Sequence, residues 1–167
     1  MQREAALQEL KSKINTILEP AIYVVESGAI GRFCEAVGDQ NPLYGDEEYA
    51  RRTKYLGVIA PPGFYGLPLQ QITDAEDNVD LGILLGPVFK SLPQIQQLGR
   101  SGVNGGTEME FYHNVRPGDV LLTYHKLTDI TQKQGKLGEM MLCTIEQTFK
   151  NKAGQTVAVV RTTLIMY

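Results

Sequence analysis

The chain reads as an α+β domain, and three features of its order carry that reading. Segments with helical spacing occupy the first part, and segments rich in Thr, Val, Ile, Tyr and Phe fill the last third. Helices followed by strands point to α+β rather than to a wound parallel sheet. The late segments are also separated by short turn-forming breaks: Arg116-Pro117-Gly118-Asp119, Lys133-Gln134-Gly135-Lys136 and Asn151-Lys152-Ala153-Gly154. Such breaks join antiparallel neighbours, so a meander of strands over 107–115, 120–131, 137–151 and 155–167 is expected.

The elements follow in order. Leu7, Leu10, Ile14 and Ile17 recur at helical spacing, so residues 1–18 are expected to form a helix that Pro20 stops. Ala21–Val25 has strand composition. Ser27 is an expected N-cap for a helix over about 28–37, with Ile30, Phe33, Cys34 and Val37 on one face and Gly38 ending it. The stretch Gly38–Asp46 is a turn-rich loop. Asp46 should cap a short helix at about 46–55, with Glu47 and Glu48 in its first turn. Pro61-Pro62-Gly63 should open another helix, running from near Pro62 to Ile72. Its prolines, glycines and aromatics make it a poor isolated helix, so it needs burial to form. Residues 73–103 carry many turn signals and are expected as loops with short helical or strand pieces, and the glycines of Gly99–Gly106 as a turn before a strand. With no internal repeat or linker, one domain over residues 1–167 is the simplest account, with 1–19 as an N-terminal helical extension.

Composition narrows the function. The chain has 167 residues, 43% hydrophobic and 21% charged, with a formal charge of −3. These values are ordinary for a globular protein and argue against disorder. No Lys/Arg cluster is longer than Arg51-Arg52, which argues against nucleic acid as a partner. No apolar run reaches the roughly 20 residues needed to span a bilayer, and the charged N-terminus lacks a signal-peptide core. A cytoplasmic protein without a membrane partner is therefore expected. Cys34 and Cys143 read as small buried hydrophobes in a reducing compartment.

Few residues offer chemistry. The two histidines, His113 and His125, fall in expected strands and have no further ligand at metal spacing. Each reads as an ordinary strand residue. Neither lies near a nucleophile in sequence, so no triad is legible. The informative stretch is Gly38–Gly63. Asp39 and Asn41 bracket a turn that cannot be helical at Asn41, because Pro42 follows. A carboxylate and an amide are thus held beside an expected helix N-terminus, whose free N–H groups can polarise a carbonyl. Gly63 would let a ligand approach that backbone closely.

Ala36–Asp46 (AVGDQNPLYGD), then Ala50, then Gly57–Phe64 (GVIAPPGF), resembles the signature of the MaoC-like hydratase/dehydratases. The match is closest to their N-terminal, FAS1-like dehydratase branch. Asn104–Tyr112 (NGGTEMEFY), followed by Val115–Asp119 (VRPGD), is similar to that branch's strand-and-turn pattern. The resemblance covers nearly the whole chain from about residue 20. It implies a hot-dog fold, an antiparallel β-sheet wrapped around a central α-helix, here Pro62–Ile72. It also implies paired sheets, as a homodimer or as a heterodimer with another hot-dog subunit.

The implied reaction is reversible hydration of a trans-2-enoyl thioester, within fatty acid metabolism, on coenzyme A or acyl carrier protein and with no cofactor. Active family members use an Asp and, five residues later, a His. Asp39 matches the first and Asn41 a polar residue between them, but the His position is Tyr44. Tyrosine, with a reference pKa near 10, is a poor base at neutral pH. Losing one member of an acid–base pair commonly costs about 10²–10⁴ in rate. The FAS1-like branch often lacks this His and works beside a chain that keeps it. The resemblance then assigns acyl-pocket roles to Pro62, Gly63, Phe64, Tyr65 and Leu67, with the Gly63 N–H as a candidate oxyanion donor.

Three readings stay open. The chain is the accessory, pocket-forming subunit of a heteromeric hydratase or dehydratase. Alternatively it is a self-sufficient hydratase with Asp39 as base, or an acyl-thioester-binding module without turnover. Arg51, Arg52 and Lys54 could meet phosphates, although a solvated helix face suits them better.

Overall fold

The computed structural model describes residues 2–64, 88–99, 101–135 and 138–167. Helix α1 spans Gln2–Ser12, strand β1 Ala21–Val24, helix α2 Ser27–Val37 and helix α3 Glu47–Arg51. Strands β2 (Gly102–Phe111), β3 (Val120–Gly135), β4 (Gly138–Lys150) and β5 (Thr156–Met166) follow. They form one antiparallel sheet in the order β1-β3-β4-β5-β2.

That order corrects the expected meander. β3, β4 and β5 are sequential neighbours, but β2 pairs with β5 and not with β3. The free edge of β3 is taken by β1, with Ala21–Val24 opposite Val120–Thr123. The chain therefore crosses the sheet between β2 and β3, through the turn Arg116–Asp119. Gly118 adopts φ +85° there, and the Asp119 carboxylate accepts the Arg116 N–H at 2.8 Å.

Two helical expectations also change. α1 stops at Ser12 because the next residues turn onto the sheet. The Asn15 N–H donates to the Leu127 carbonyl and the Leu18 N–H to that of His125, each at 2.8 Å. Ile17 bridges to Lys126 and is 65% exposed, so it does not extend the helical apolar face. Ser27 is the first residue of α2 rather than its cap; Glu26 holds the cap position without a side-chain bond. Val37 is exposed, whereas Ile30 is buried and Phe33 and Cys34 pack against the core. Gly38 ends α2 as expected, at φ +72°.

The glycines near β2 are not a turn. Gly102, Gly105 and Gly106 lie within the strand, with an irregularity between Asn104 and Gly106. A Cβ on Gly105 would lie 2.7 Å from the Ile165 side chain, and one on Gly99 2.5 Å from the Tyr167 backbone nitrogen. These positions stay bare so that this stretch can lie close against β5 and the residue after it.

One face of the sheet is buried, as the alternating pattern of β3, β4 and β5 requires. Two apolar clusters share it. The first packs Ala6 and Leu10 of α1 and Val88, Leu92, Ile95 and Leu98 onto Leu127, Ile145 and Leu164. The second packs Ile30 of α2, Ala60 and Phe64 onto Leu121, Phe149 and Val160. A polar row lies where they meet: His125 opposite Gln147, both buried. β2 is exposed along its whole length.

The expected central helix falls mostly on residues 65–72, outside the described residues. Within the described part, Pro61–Phe64 is a tight turn. Residues 88–91 are helical and Pro93–Gln97 is a 3-10 turn, in keeping with the short pieces expected there. No described helix is long and apolar enough to cross a membrane. Cys34 and Cys143 are free, the first half-buried and the second buried; burial, with a smaller effect of Asp129, pushes the Cys143 thiol up to about 12.

Candidate active site

The loop after α2 is built from side chains that bond their own backbone. The Asp39 Oδ1 accepts the Asn41 N–H at 3.1 Å, and the Asn41 Oδ1 accepts the Leu43 N–H at 3.0 Å. Asn41 thereby caps the 3-10 turn Pro42–Tyr44. Asp46 then caps α3, accepting the Tyr49 N–H at 2.9 Å. Asp39 and Asn41 are both exposed. Their near oxygens shape the loop, and the loop in turn fixes where Tyr44 goes.

Tyr44 is half-buried against the second cluster. Burial, then the charge of Asp39, raises its phenol above the ordinary value. At neutral pH it is a hydroxyl donor and not a base. Burial, then Asp39, also raises the Cys34 thiol. The expected site loop thus brings Asp39 close to Tyr44, and it holds neither a neutral-pH base at position 44 nor a reactive thiol at position 34.

Pro61-Pro62-Gly63-Phe64 corrects the expected helix start. The Phe64 N–H donates to the Pro61 carbonyl at 3.1 Å, and Gly63 sits at φ +95°. A proline second and a positive-φ glycine third are the marks of a type II turn. Phe64 is buried and meets Phe33 edge-on, with ring centroids 5.7 Å apart. The Ala60 N–H donates to the Val115 carbonyl at 2.7 Å, which ties this turn to the segment after β2.

A cavity of about 130 Å³ lies between the two segments. Tyr44, Tyr55, Pro62, Phe64, Phe111 and His113 line it, among others. Of the expected site residues, Tyr44, Pro62 and Phe64 meet here. Asp39, Asn41 and Gly63 are not in its lining, and Tyr65 and Leu67 lie outside the described residues. His113, Tyr55 and Phe111 are additions that the sequence reading missed. His113 is not in a strand: β2 ends at Phe111, and His113 follows in the exposed bend. Its place shortly before the turn at Arg116 was the available signal that the strand had ended. His125 is the strand histidine, and it is buried.

A larger groove of about 670 Å³ lies against Tyr112, Tyr124, Lys126 and Lys150. None of the expected site residues that are described lines it. Lys126 is paired with Glu146, and Lys150 lies over the Tyr124 ring. Near the site loop, Arg51 and Arg52 pair with Glu47 and Glu48 along α3, as a solvated helix face does.

Residues 13–160 match the family model described as the FAS1-like dehydratase domain region. The chain is 28% identical over 144 residues to a probable enoyl-CoA hydratase alpha subunit of Thermomonospora curvata, covering 83% of this chain and 43% of that one. It is 28% identical over 120 residues to the 3-oxo-4,17-pregnadiene-20-carboxyl-CoA hydratase alpha subunit of Mycobacterium tuberculosis, covering 69% and 36%. It thus spans less than half the length of either. With a UPF0336 protein of Streptomyces avermitilis it shares 30% identity over 114 residues, covering 68% and 67%. Among solved structures, the ChsH1-ChsH2 complex of Mycobacterium tuberculosis has a chain that superposes with TM-score 0.70 at 23% identity, covering 99% of this chain and 90% of that one. A MaoC-like dehydratase from Rhodospirillum rubrum gives 0.62 at 22%, covering 92% of each. Both likenesses are of fold. With its antiparallel hot-dog sheet and a family match that runs from residue 13 to residue 160, the chain belongs to the FAS1-like dehydratase domain family.

Proposed function

We propose that this chain is the accessory, pocket-forming subunit of an enoyl-thioester hydratase or 3-hydroxyacyl-thioester dehydratase, and that a second hot-dog chain supplies the Asp–His pair. The observation that carries the reading is Tyr44. It stands where active family members place a His, and burial together with Asp39 keeps its phenol protonated. A donor at that position can hold a ligand oxygen, but it cannot accept a proton from water at neutral pH. Two relatives are named as alpha subunits of CoA-thioester hydratases, which supports a shared assembly. A fold neighbour belongs to a two-component complex, ChsH1-ChsH2.

In this reading Phe64 and Pro62 form an apolar wall for the acyl chain and Tyr44 donates towards a bound oxygen. The Gly63 N–H is the oxyanion donor where this subunit's turn faces the substrate. Removing one such donor commonly costs about 10²–10³ in rate. Asp39 and Asn41 act as positioning residues that set the loop. The substrate is an acyl-CoA or acyl-carrier thioester.

Purifying the protein from its source together with what binds it tests the reading. The expected result is a co-purifying hot-dog chain with the Asp–His spacing, and hydration of a short trans-2-enoyl-CoA by the pair. A homo-oligomer with full turnover would overturn it.

A further inference from the structure

We propose that His113 is the side chain with which this subunit holds the thioester carbonyl of its ligand, by donating an imidazole hydrogen bond in the cavity that Tyr44 also lines. The inference rests on the reading of that cavity as an acyl-thioester site.

Three observations carry it. The first is placement. Phe111, His113, Asn114 and Val115 all line the cavity, and of these His113 is the one that carries a ring N–H, whereas Tyr112 lines the groove elsewhere. The second is a fixed backbone. The N–H groups of Tyr112 and His113 both donate to the Val157 carbonyl, at 2.9 and 3.2 Å, so the exposed imidazole springs from a pinned segment. The opposite wall is tied to the same stretch by the Ala60–Val115 bond. The third is the chemistry of the lining. Most of it is apolar, including Ile59, Phe64, Val157 and Ala158. An apolar slot with a few polar groups fits a ligand with an apolar tail and a polar head. Tyr44 is half-buried, while His113 is exposed, where a head group meets solvent. A neutral imidazole keeps one N–H donor in either tautomer, and the thioester carbonyl accepts it.

The chain has two histidines, which makes the test direct. His125 is buried and serves as an internal reference. The full chain, labelled at histidine and assembled with its co-purifying partner, is titrated with trans-2-butenoyl-CoA and, separately, with free CoA. The ring signals of both histidines are followed. The expected result is that butenoyl-CoA moves the His113 signals, free CoA does not, and His125 stays still. His113→Ala then raises the Kd for butenoyl-CoA by about tenfold, the scale of one hydrogen bond, and His113→Asn, which keeps an N–H donor, recovers part of it. Binding with His113 unmoved and an unchanged Kd in His113→Ala overturns the inference and leaves the acyl-thioester reading standing. An equal shift with free CoA also overturns it, because the contact is then to the carrier and not to the carbonyl. No binding of butenoyl-CoA by the assembly overturns the acyl-thioester reading, and the inference with it.

Discussion

The Ala60 N–H and the Val115 carbonyl lie 2.7 Å apart, and that bond joins the two walls of the candidate cavity. On one side is the Pro61–Phe64 turn, on the other the segment that carries Phe111 and His113. The cavity is therefore formed where a loop meets the end of an edge strand.

The turn depends on Gly63. At φ +95° an L-residue is strained, while an added Cβ would meet only Phe33, at an ordinary 3.7 Å. Gly63→Ala should therefore cost about 1–2 kcal/mol from the backbone alone. Urea unfolding monitored by circular dichroism measures this. A cost near zero would mean that the turn relaxes to another geometry.

Gly99→Ala should be worse for packing. Its Cβ would fall 2.5 Å from the Tyr167 nitrogen and 2.8 Å from the Tyr167 oxygen, and backbone atoms do not step aside as a flexible side chain does. The pair of bonds between Ser101 and Tyr167, at 3.0 and 3.1 Å, should be disturbed. A loss of about 1–3 kcal/mol is expected, with faster amide exchange at Ser101 and Tyr167.

His125 makes stability depend on pH. It is buried, neither ring nitrogen has a hydrogen-bond partner among the described residues, and desolvation lowers its pKa from 6.5 to about 4. Between those values the unfolded chain binds a proton that the folded chain refuses. Stability from this group is fully present above pH 6.5, falls as the pH drops towards 4, and levels below. The full loss is about 3 kcal/mol by the conversion of one pKa unit to about 1.4 kcal/mol. His125→Leu removes a polar group with no partner among the described residues, so it should flatten that slope without destabilising the neutral-pH fold. Chemical unfolding of both forms from pH 4 to pH 8 measures it.

Much of this was legible in residue order, and the failures have causes. The capping residue Asp46, the stop at Gly38 and strands β3 to β5 follow from local chemistry, and the structure keeps them. The position of β2 was not legible, because the short Arg116–Asp119 break looks the same whether it joins neighbours or crosses the sheet. Only the competition of β1 for the edge of β3 decides it. Pro61-Pro62-Gly63 suits a helix start and a type II turn equally, and the positive φ of Gly63 decides for the turn. Asp39, Asn41 and Tyr44 were readable as one loop from their spacing. His113 was missed because a four-residue error in where β2 ends, Phe111 instead of Val115, turns a cavity residue into a strand residue.

Tyr44→His restores the Asp–His spacing of active family members. If the missing imidazole limits this chain, the isolated variant should gain measurable hydration of a short trans-2-enoyl-CoA, up to about a hundredfold above the parent's background. Asp39→Asn in the same background should remove the gain. A variant that folds and stays at background would show that other parts of the site are absent as well.

As an accessory subunit, the chain is expected not to turn over substrate by itself. The direct measurement follows the loss of conjugated thioester absorbance when the purified chain meets a short trans-2-enoyl-CoA, with and without the chain that co-purifies with it. No turnover is expected alone, and hydration with the partner. Robust turnover by the chain alone, abolished by Asp39→Asn, would contradict it and make Asp39 the base.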